Sequence, residues 1–151
     1  MIEKILIAFP KLKDDNHFKI TSKQDTRYNC IAWAAFYTDR WLWPPGGYLL
    51  DGVHYYWPSE IDKNDRIETF KAVFQLFEYV ECENSEFEEN YRKIALYQNA
   101  QGHCTHAARQ KRNGIWTSKL GEEQDIEHGT PHTIECEMYG TVEFIMKKKL
   151  D

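Results

Sequence analysis

The chain has 151 residues, 42% hydrophobic and 15% aromatic, a composition that fits a single globular domain spanning residues 1–151. Its formal net charge of −5 argues against general affinity for nucleic acid or for an anionic membrane surface. No apolar run is long enough to cross a bilayer, and the interrupted apolar patch at residues 2–9 lacks the features of a signal peptide. We therefore expect a cytoplasmic protein whose four cysteines are reduced thiols.

The first half of the chain is predicted to be mainly helical after one short strand over residues 4–8. A polar connection leads from that strand to residue 25. Asn29-Cys30 then opens a helix over residues 30–38. A second helix is predicted to follow residues 59–65, since large apolar side chains recur there at helical spacing: Ile67, Phe70, Phe74 and Phe77.

An aromatic-rich segment, residues 40–58, lies between these two helices and is predicted to be irregular. Pro44-Pro45-Gly46-Gly47 interrupts it, and its aromatic residues follow no single period. We expect the segment to lie as a loop over the domain. Trp43 and Trp57 are the candidates to line a substrate groove or to contact a partner, because aromatic clusters on a surface mark interaction sites.

The second half of the chain is predicted to be an antiparallel meander. Strands are expected at residues 93–98, 105–110 and 115–120, with Asn113-Gly114 as a hairpin turn between the last two. Residues 121–132 are interpreted as turns, and residues 141–149 as a final strand whose basic end is a solvated sheet edge. The fold class predicted is therefore α+β, with N-terminal helices packed on an antiparallel β-meander.

Cys30 and His106 are the candidate catalytic pair. A thiolate is stabilised by the N-terminus of a helix and by a nearby imidazolium, and Cys30 begins a predicted helix while His106 lies on a later strand. A third polar group must orient the imidazole. Asp125 has the more suitable chemistry, Ser118 has the more suitable strand position, and His128 is a further option.

Three sequence blocks carry a resemblance: YNCIAWAA, THAARQ and GIWTSKLGEEQDIEH. Together they resemble an uncharacterised bacterial domain family with the same blocks, over residues 27–128. That family is in turn similar to the papain-like cysteine hydrolases, including the NlpC/P60 branch. The NlpC/P60 enzymes usually have Asp-Cys-Ser at the nucleophile where this chain has Asn29-Cys30-Ile31, so their substrate-binding residues are not carried over.

The resemblance implies a papain-like or NlpC/P60-like fold and a covalent mechanism. The Cys30 thiolate would attack an amide or ester carbonyl, and His106 would protonate the leaving group and then activate water. Gln24 has the spacing, six residues before the cysteine, of the glutamine that helps to bind the oxyanion in papain-like proteases. The function expected is a cysteine hydrolase, or thiol protease, that acts on a peptide or protein by amide hydrolysis, deamidation or acyl transfer.

Three other interpretations stand beside this one. Cys30 could be a buried structural thiol. Arg109 and Lys119 could bind a carboxylate or phosphate, but we expect them to be solvated strand charges. Zinc could use His and Cys ligands in residues 103–106 and 128–136, but their spacing matches no zinc signature, so we expect no metal and no cofactor. Finally, the chain could be a non-catalytic protein-binding module of the immunity or inhibitor type that uses the Trp-rich loop 41–57.

Overall fold

A seven-stranded sheet organises the computed structural model, which describes residues 2–45, 52–120 and 124–150. The strand order is β1-β8-β7-β6-β5-β9-β4, and every neighbouring pair in this sheet is antiparallel. Its strands are β1 (Lys19–Ile20), β4 (Val80–Cys82), β5 (Tyr91–Gln98), β6 (Cys104–Gln110), β7 (Trp116–Lys119), β8 (Asp125–His128) and β9 (Thr141–Lys149). A small parallel pair lies apart from it: β2 (Trp41–Leu42) and β3 (Tyr55–Tyr56).

Short helices complete the described part of the chain. They are α1 (Ile2–Ala8), α2 (Cys30–Ala34), α3 (Ile67–Leu76) and two 3₁₀ turns, Pro10–Asp14 and Pro131–Ile134. The predicted fold class is confirmed at the level of a mixed α+β protein with a mostly antiparallel sheet. None of the described helices combines the length and the apolar character that a membrane span needs.

Residues 4–8 are helical, so the predicted first strand is wrong. Ile5 and Phe9 are buried and Leu6 is partly buried against the same core, whereas Ile2 and Ile7 are exposed. Apolar residues four apart share one face of a helix, whereas a strand would alternate them. The period of the apolar residues therefore indicates the helix that the structure contains.

Two further expectations about the second half are wrong. Residues 125–128 form β8 rather than a turn, because this segment pairs with β1 on one side and with β7 on the other. The strand at residues 141–149 has the predicted bounds but is not an edge, since β9 lies between β5 and β4. Both differences arise from partners far away in sequence.

Hydrophobic clusters cover the two faces of the sheet. The α2 cluster contains α2, α3 and the strand residues Ile94, Leu96, Cys104, Ala107 and Met146. The α1 cluster contains α1, the two 3₁₀ turns and the strand residues Ala95, Tyr97, Ala108, Trp116 and Ile126. Consecutive residues of a strand point to opposite faces, so Leu96 and Tyr97, or Ala107 and Ala108, belong to different clusters.

The aromatic segment is anchored more firmly than a loose loop. Trp41 pairs with Tyr55 and Leu42 with Tyr56, and the Leu42 side chain is fully buried in the α2 cluster. The Gly46-Gly47 part of the predicted breaker sequence lies outside the described residues. The segment is therefore not wholly irregular, contrary to the prediction, because it contains two short strands, β2 before that part and β3 after it.

Candidate thiol and histidine sites

Cys30 is the first residue of α2, as predicted. Asn29 caps the helix: its Oδ1 accepts from the backbone N–H of Ala32 at 3.0 Å and from that of Leu42 at 3.1 Å. Its Nδ2 donates to the Leu42 carbonyl at 3.1 Å. One buried side chain therefore begins the helix and fixes β2 beside it. The helix ends before the predicted residue 38 because Phe36 has a φ of 70°.

The Cys30 thiol is buried, and its burial favours the protonated form. The residue is 9% exposed and lies in the α2 cluster beside Cys104 and Ala107. Burial raises the pKa of the thiol to about 11, against the opposing effect of the backbone N–H groups of Ala107, Ile31 and Cys30. In this conformation Cys30 is a neutral thiol at pH 7, not an activated thiolate.

Charged groups lie on the same face of the sheet as Cys30. The Tyr28 hydroxyl donates to Oδ2 of Asp125 at 3.0 Å, while Oδ1 of Asp125 is buried without a hydrogen-bond partner in the described part of the chain. Lys119 is fully buried opposite Asp125 in the β7–β8 pair, and its Nζ lies 5.2 Å from the centre of the Tyr28 ring. Lys119 is therefore not a solvated strand charge.

His106 belongs to a chain of buried hydrogen bonds. Its Nε2 lies 3.0 Å from Ser118 Oγ, which lies 2.8 Å from Nε2 of His128. Nδ1 of His128 lies 2.8 Å from the carbonyl oxygen of Thr130, which can only accept a hydrogen bond. When both rings are neutral, these hydrogen bonds therefore run in one direction. His106 donates to Ser118, Ser118 donates to His128, and His128 donates to the carbonyl of Thr130.

This direction leaves Nδ1 of His106 unprotonated. That nitrogen is buried and has no hydrogen-bond partner among the described residues. Burial first, and then the charge that His128 would carry, lower the pKa of His106 well below its usual value. Burial also lowers the pKa of His128 to about 4, so both rings are neutral at pH 7.

Cys30 and His106 lie on opposite faces of the sheet. Tyr97 pairs with His106 and Gln98 with Cys104, so Thr105 is an extra residue in β6 and forms a bulge. On one side of this strand, Cys104 and Ala107 pack in the α2 cluster with Cys30. On the other, His106 contacts the rings of Tyr97 (5.1 Å) and Tyr139 (4.2 Å, stacked), which belong to the α1 cluster. This conformation does not assemble the predicted nucleophile–base pair.

The structure separates the remaining candidate residues between the two faces. Of the candidate orienting residues, Ser118 forms the hydrogen bond with the His106 ring, whereas Asp125 lies with Tyr28 on the Cys30 face. Gln24 is exposed in the connection before α2, and no hydrogen bond joins it to Cys30 in the ranges that the structure describes. His103, a candidate zinc ligand, contacts Asp65: its Nδ1 lies 2.7 Å from Oδ1 of that residue.

A zinc centre is not assembled by the described residues, since no three of their His, Cys, Asp and Glu side chains converge on one point. The four cysteines are free thiols. The structure therefore adds no support to the zinc interpretation.

Trp43 and Trp57 belong to a surface that we call the aromatic face: Trp41, Trp43, Tyr55, Tyr56 and Trp57. All five side chains are half-buried. Trp43 and Trp57 both contact the buried ring of Phe70 in α3, at centroid distances of 5.2 Å and 5.3 Å. The indole N–H groups of Trp41 and Trp57 donate to the carbonyls of Thr26 (2.8 Å) and Asp62 (3.0 Å). The rings are therefore fixed in place with part of each surface open.

The chain belongs to a protein family whose model, described as a domain of unknown function (DUF7689), matches residues 19–147. This agrees with the expectation of an uncharacterised domain family. No curated protein and no solved structure matches the chain. The similarity to papain-like and NlpC/P60 hydrolases therefore stays a prediction.

The sequence does not indicate Tyr28 or Tyr139 as site residues, and it indicates Lys119 only as a solvated charge or an anion contact. Lys119 is next to Ser118 in the strand IWTSKL, so alternation along the strand does indicate that it faces the other way. No local signal identifies Tyr28 or Tyr139, because their contacts with Asp125 and His106 join segments that are distant in sequence.

Proposed function

We propose that the protein is a protein-binding module that contacts a peptide or protein partner through the aromatic face. The observation that carries this proposal is the set of half-buried rings fixed on Phe70 and on backbone carbonyls. Aromatic side chains that are already immobile lose little conformational entropy on binding, and such residues supply much of the energy at interfaces.

The shape and charge of the aromatic face support the same proposal. Two cavities of about 300 and 500 Å³ share Tyr55 and Tyr56 as walls. The first is also lined by Trp43, Trp57 and Lys63, and the second by Asp39, Arg40 and His54. The first recess is mainly apolar and the second is lined by charged groups, an arrangement that resembles the core and rim of a protein interface. The tightly held Cys30 proton and the position of His106 on the opposite sheet face also favour binding over catalysis.

A site-specific crosslink tests the proposal. A photo-reactive benzoylphenylalanine replaces Tyr55 in the producing cell, and a matched chain carries it at Phe87, which is 51% exposed and lies beside Gly114. We expect a discrete adduct from position 55 that is absent from position 87. Trp57→Ala should abolish the adduct, and Cys30→Ala should leave it unchanged. Equal adducts from both positions, or an adduct that survives Trp57→Ala, would overturn the proposal.

A cysteine hydrolase is the second candidate, and two observations favour it. The Cys30 sulfur lies at the start of α2, among backbone N–H groups that favour a negative charge. His106 has an unprotonated Nδ1, the form that a general base requires. Catalysis would require a conformation in which His106 reaches the Cys30 face of the sheet.

The pH dependence of alkylation distinguishes the two candidates. The rate of Cys30 modification by iodoacetamide is followed by mass spectrometry from pH 5 to 10, with the buried Cys104 as the reference. The hydrolase predicts a rate that is already high below pH 7 and falls in His106→Asn. The binding module predicts a slow rate that rises throughout this range, because the pKa of Cys30 is about 11, and that His106→Asn does not lower.

A further inference from the structure

We propose that Arg92 and Arg109, stacked on the ring of Phe36, form a binding site for an oxyanion, which is the carboxylate or phosphate group of a ligand. The site is separate from the aromatic face and does not depend on the function proposed for it. Three features carry the proposal: the spacing of the two cations, the absence of carboxylate partners for them in the described residues, and the exposure of the ring that both contact.

The two guanidinium groups approach one ring closely. The Arg92 Cζ lies 4.2 Å and the Arg109 Cζ 4.0 Å from the centre of the Phe36 ring. Both guanidinium groups therefore contact the same side chain. Their Cζ atoms are therefore no more than about 8 Å apart, within the Debye length at which like charges still repel each other.

Neither arginine has a carboxylate partner within 4 Å in residues 2–45, 52–120 and 124–150. The Arg92 Nε is buried without a hydrogen-bond partner, and the polar group beside Arg92 is the Tyr79 hydroxyl. Arg109 donates through Nη1 to the Trp33 carbonyl at 2.9 Å. The Asp125 carboxylate interacts electrostatically with Arg109 from a longer distance. Buried donors without acceptors are uncommon in proteins, and two close cations without an anion are costly.

The ring that both arginines contact is held at the surface. Phe36 is 48% exposed and has a φ of 70°, a backbone conformation that phenylalanine seldom adopts. A cavity of about 320 Å³ lies beside Arg92 and is also lined by Ala35 and Tyr37, the neighbours of Phe36 in the sequence. The other charged groups at this cavity are Lys148 and Glu78, which lie 3.9 Å apart and offset each other.

An oxyanion fits this arrangement. The planar fork of a guanidinium pairs with two oxygen atoms of a carboxylate or phosphate, and an anion at the open edge of the ring would neutralise both arginines. The positive charge is local, because the whole chain carries a net charge of −5. A ligand is therefore expected to be recognised at this point by its anionic group.

Nuclear magnetic resonance of the arginine Nε–H groups tests the site in the intact protein. Inorganic phosphate is titrated at constant ionic strength, and sodium glutarate is titrated in parallel. We expect saturable shifts of the Arg92 and Arg109 signals, and the anion that saturates them at the lower concentration identifies the class of ligand. Shifts that increase linearly and equally for the exposed Arg112 would overturn the proposal.

Variants separate the site from general charge. Arg92→Gln is expected to weaken the binding of the better anion by about tenfold, because it removes a charge-assisted pair. Phe36→Asn should weaken binding as well, and asparagine tolerates the positive φ, so the fold is retained. Arg112→Gln removes the same charge from the exposed turn and should change nothing. Unaltered binding in both Arg92→Gln and Phe36→Asn would refute the site.

Discussion

Ser118 and His128 share a buried hydrogen bond of 2.8 Å whose direction is set by the Thr130 carbonyl at the far side of the imidazole. Protonation of His128 at Nε2 would place two hydrogen atoms between Ser118 and His128 unless the hydroxyl turns. It would also place a charge in a core that contains the rings of Tyr97 and Tyr139. The hydrogen-bond chain is therefore compatible with neutral rings and opposes protonation.

The stability of the protein should consequently fall in acid. The folded-state pKa of His128 is about 4, below the value of about 6.5 in an unfolded chain, so the unfolded state binds more protons between these limits. The contribution of the neutral His128 ring to the free energy of unfolding is complete above pH 6.5 and decreases as the pH falls toward 4. Between pH 7 and pH 4.5 we expect His128 alone to account for a loss of about 2–3 kcal/mol.

Urea unfolding at these two pH values measures the effect. His128→Gln should reduce the difference between them, although the variant is less stable at pH 7. His54→Gln is the matched control, because the His54 side chain is exposed and its replacement should leave the difference unchanged. An equal reduction in both variants would show that the buried chain does not control the acid response.

Asn29→Ala should destabilise the protein strongly for a single polar residue. The substitution removes three hydrogen bonds, to Ala32 N–H and to both backbone groups of Leu42, and leaves the partners buried. We expect a loss of about 2–4 kcal/mol in the free energy of unfolding. Asn16→Ala, at an exposed position, should change stability little. A similar loss in the two variants would contradict the role assigned to the cap.

Gly140→Ala should also be destabilising, for two reasons that can be separated. Gly140 has a φ of 72°, and a Cβ atom there would lie 1.9 Å from the carbonyl oxygen of Gln98. Gly52 has a φ of 74° but no atom within 4 Å of such a Cβ. Gly52→Ala therefore measures the backbone strain alone.

We expect Gly140→Ala to cost about 2–4 kcal/mol and Gly52→Ala about 1–2 kcal/mol, as measured by thermal unfolding. The difference reports the collision with β5 at Gln98. If the two substitutions cost the same, the contact between residues 98 and 140 is looser than the structure indicates.

Features that depend on adjacent residues were predictable from the sequence. The Asn29 cap, the Asn113-Gly114 turn and the alternation of residues 141–149 are local signals, and the structure contains a helix start, a turn and a strand at these positions. β8 was missed because its identity as a strand depends on β1 and β7. The faces of Cys30 and His106 were not predictable for a more specific reason. His106 and Ala107 alternate regularly along β6, but α2 packs on the face of Ala107, and this packing depends on contacts between distant segments that no local pattern indicates.

The position of β9 between β5 and β4 has a consequence for folding during synthesis. β5 and β6 can form a hairpin once residue 110 has left the ribosome, but the other edge of β5 stays open until residues 141–149 follow. An open strand edge is a template for pairing with other chains. The nascent protein therefore passes through an interval in which its central strand is exposed, and a chaperone that binds extended segments would act at β5 during that interval.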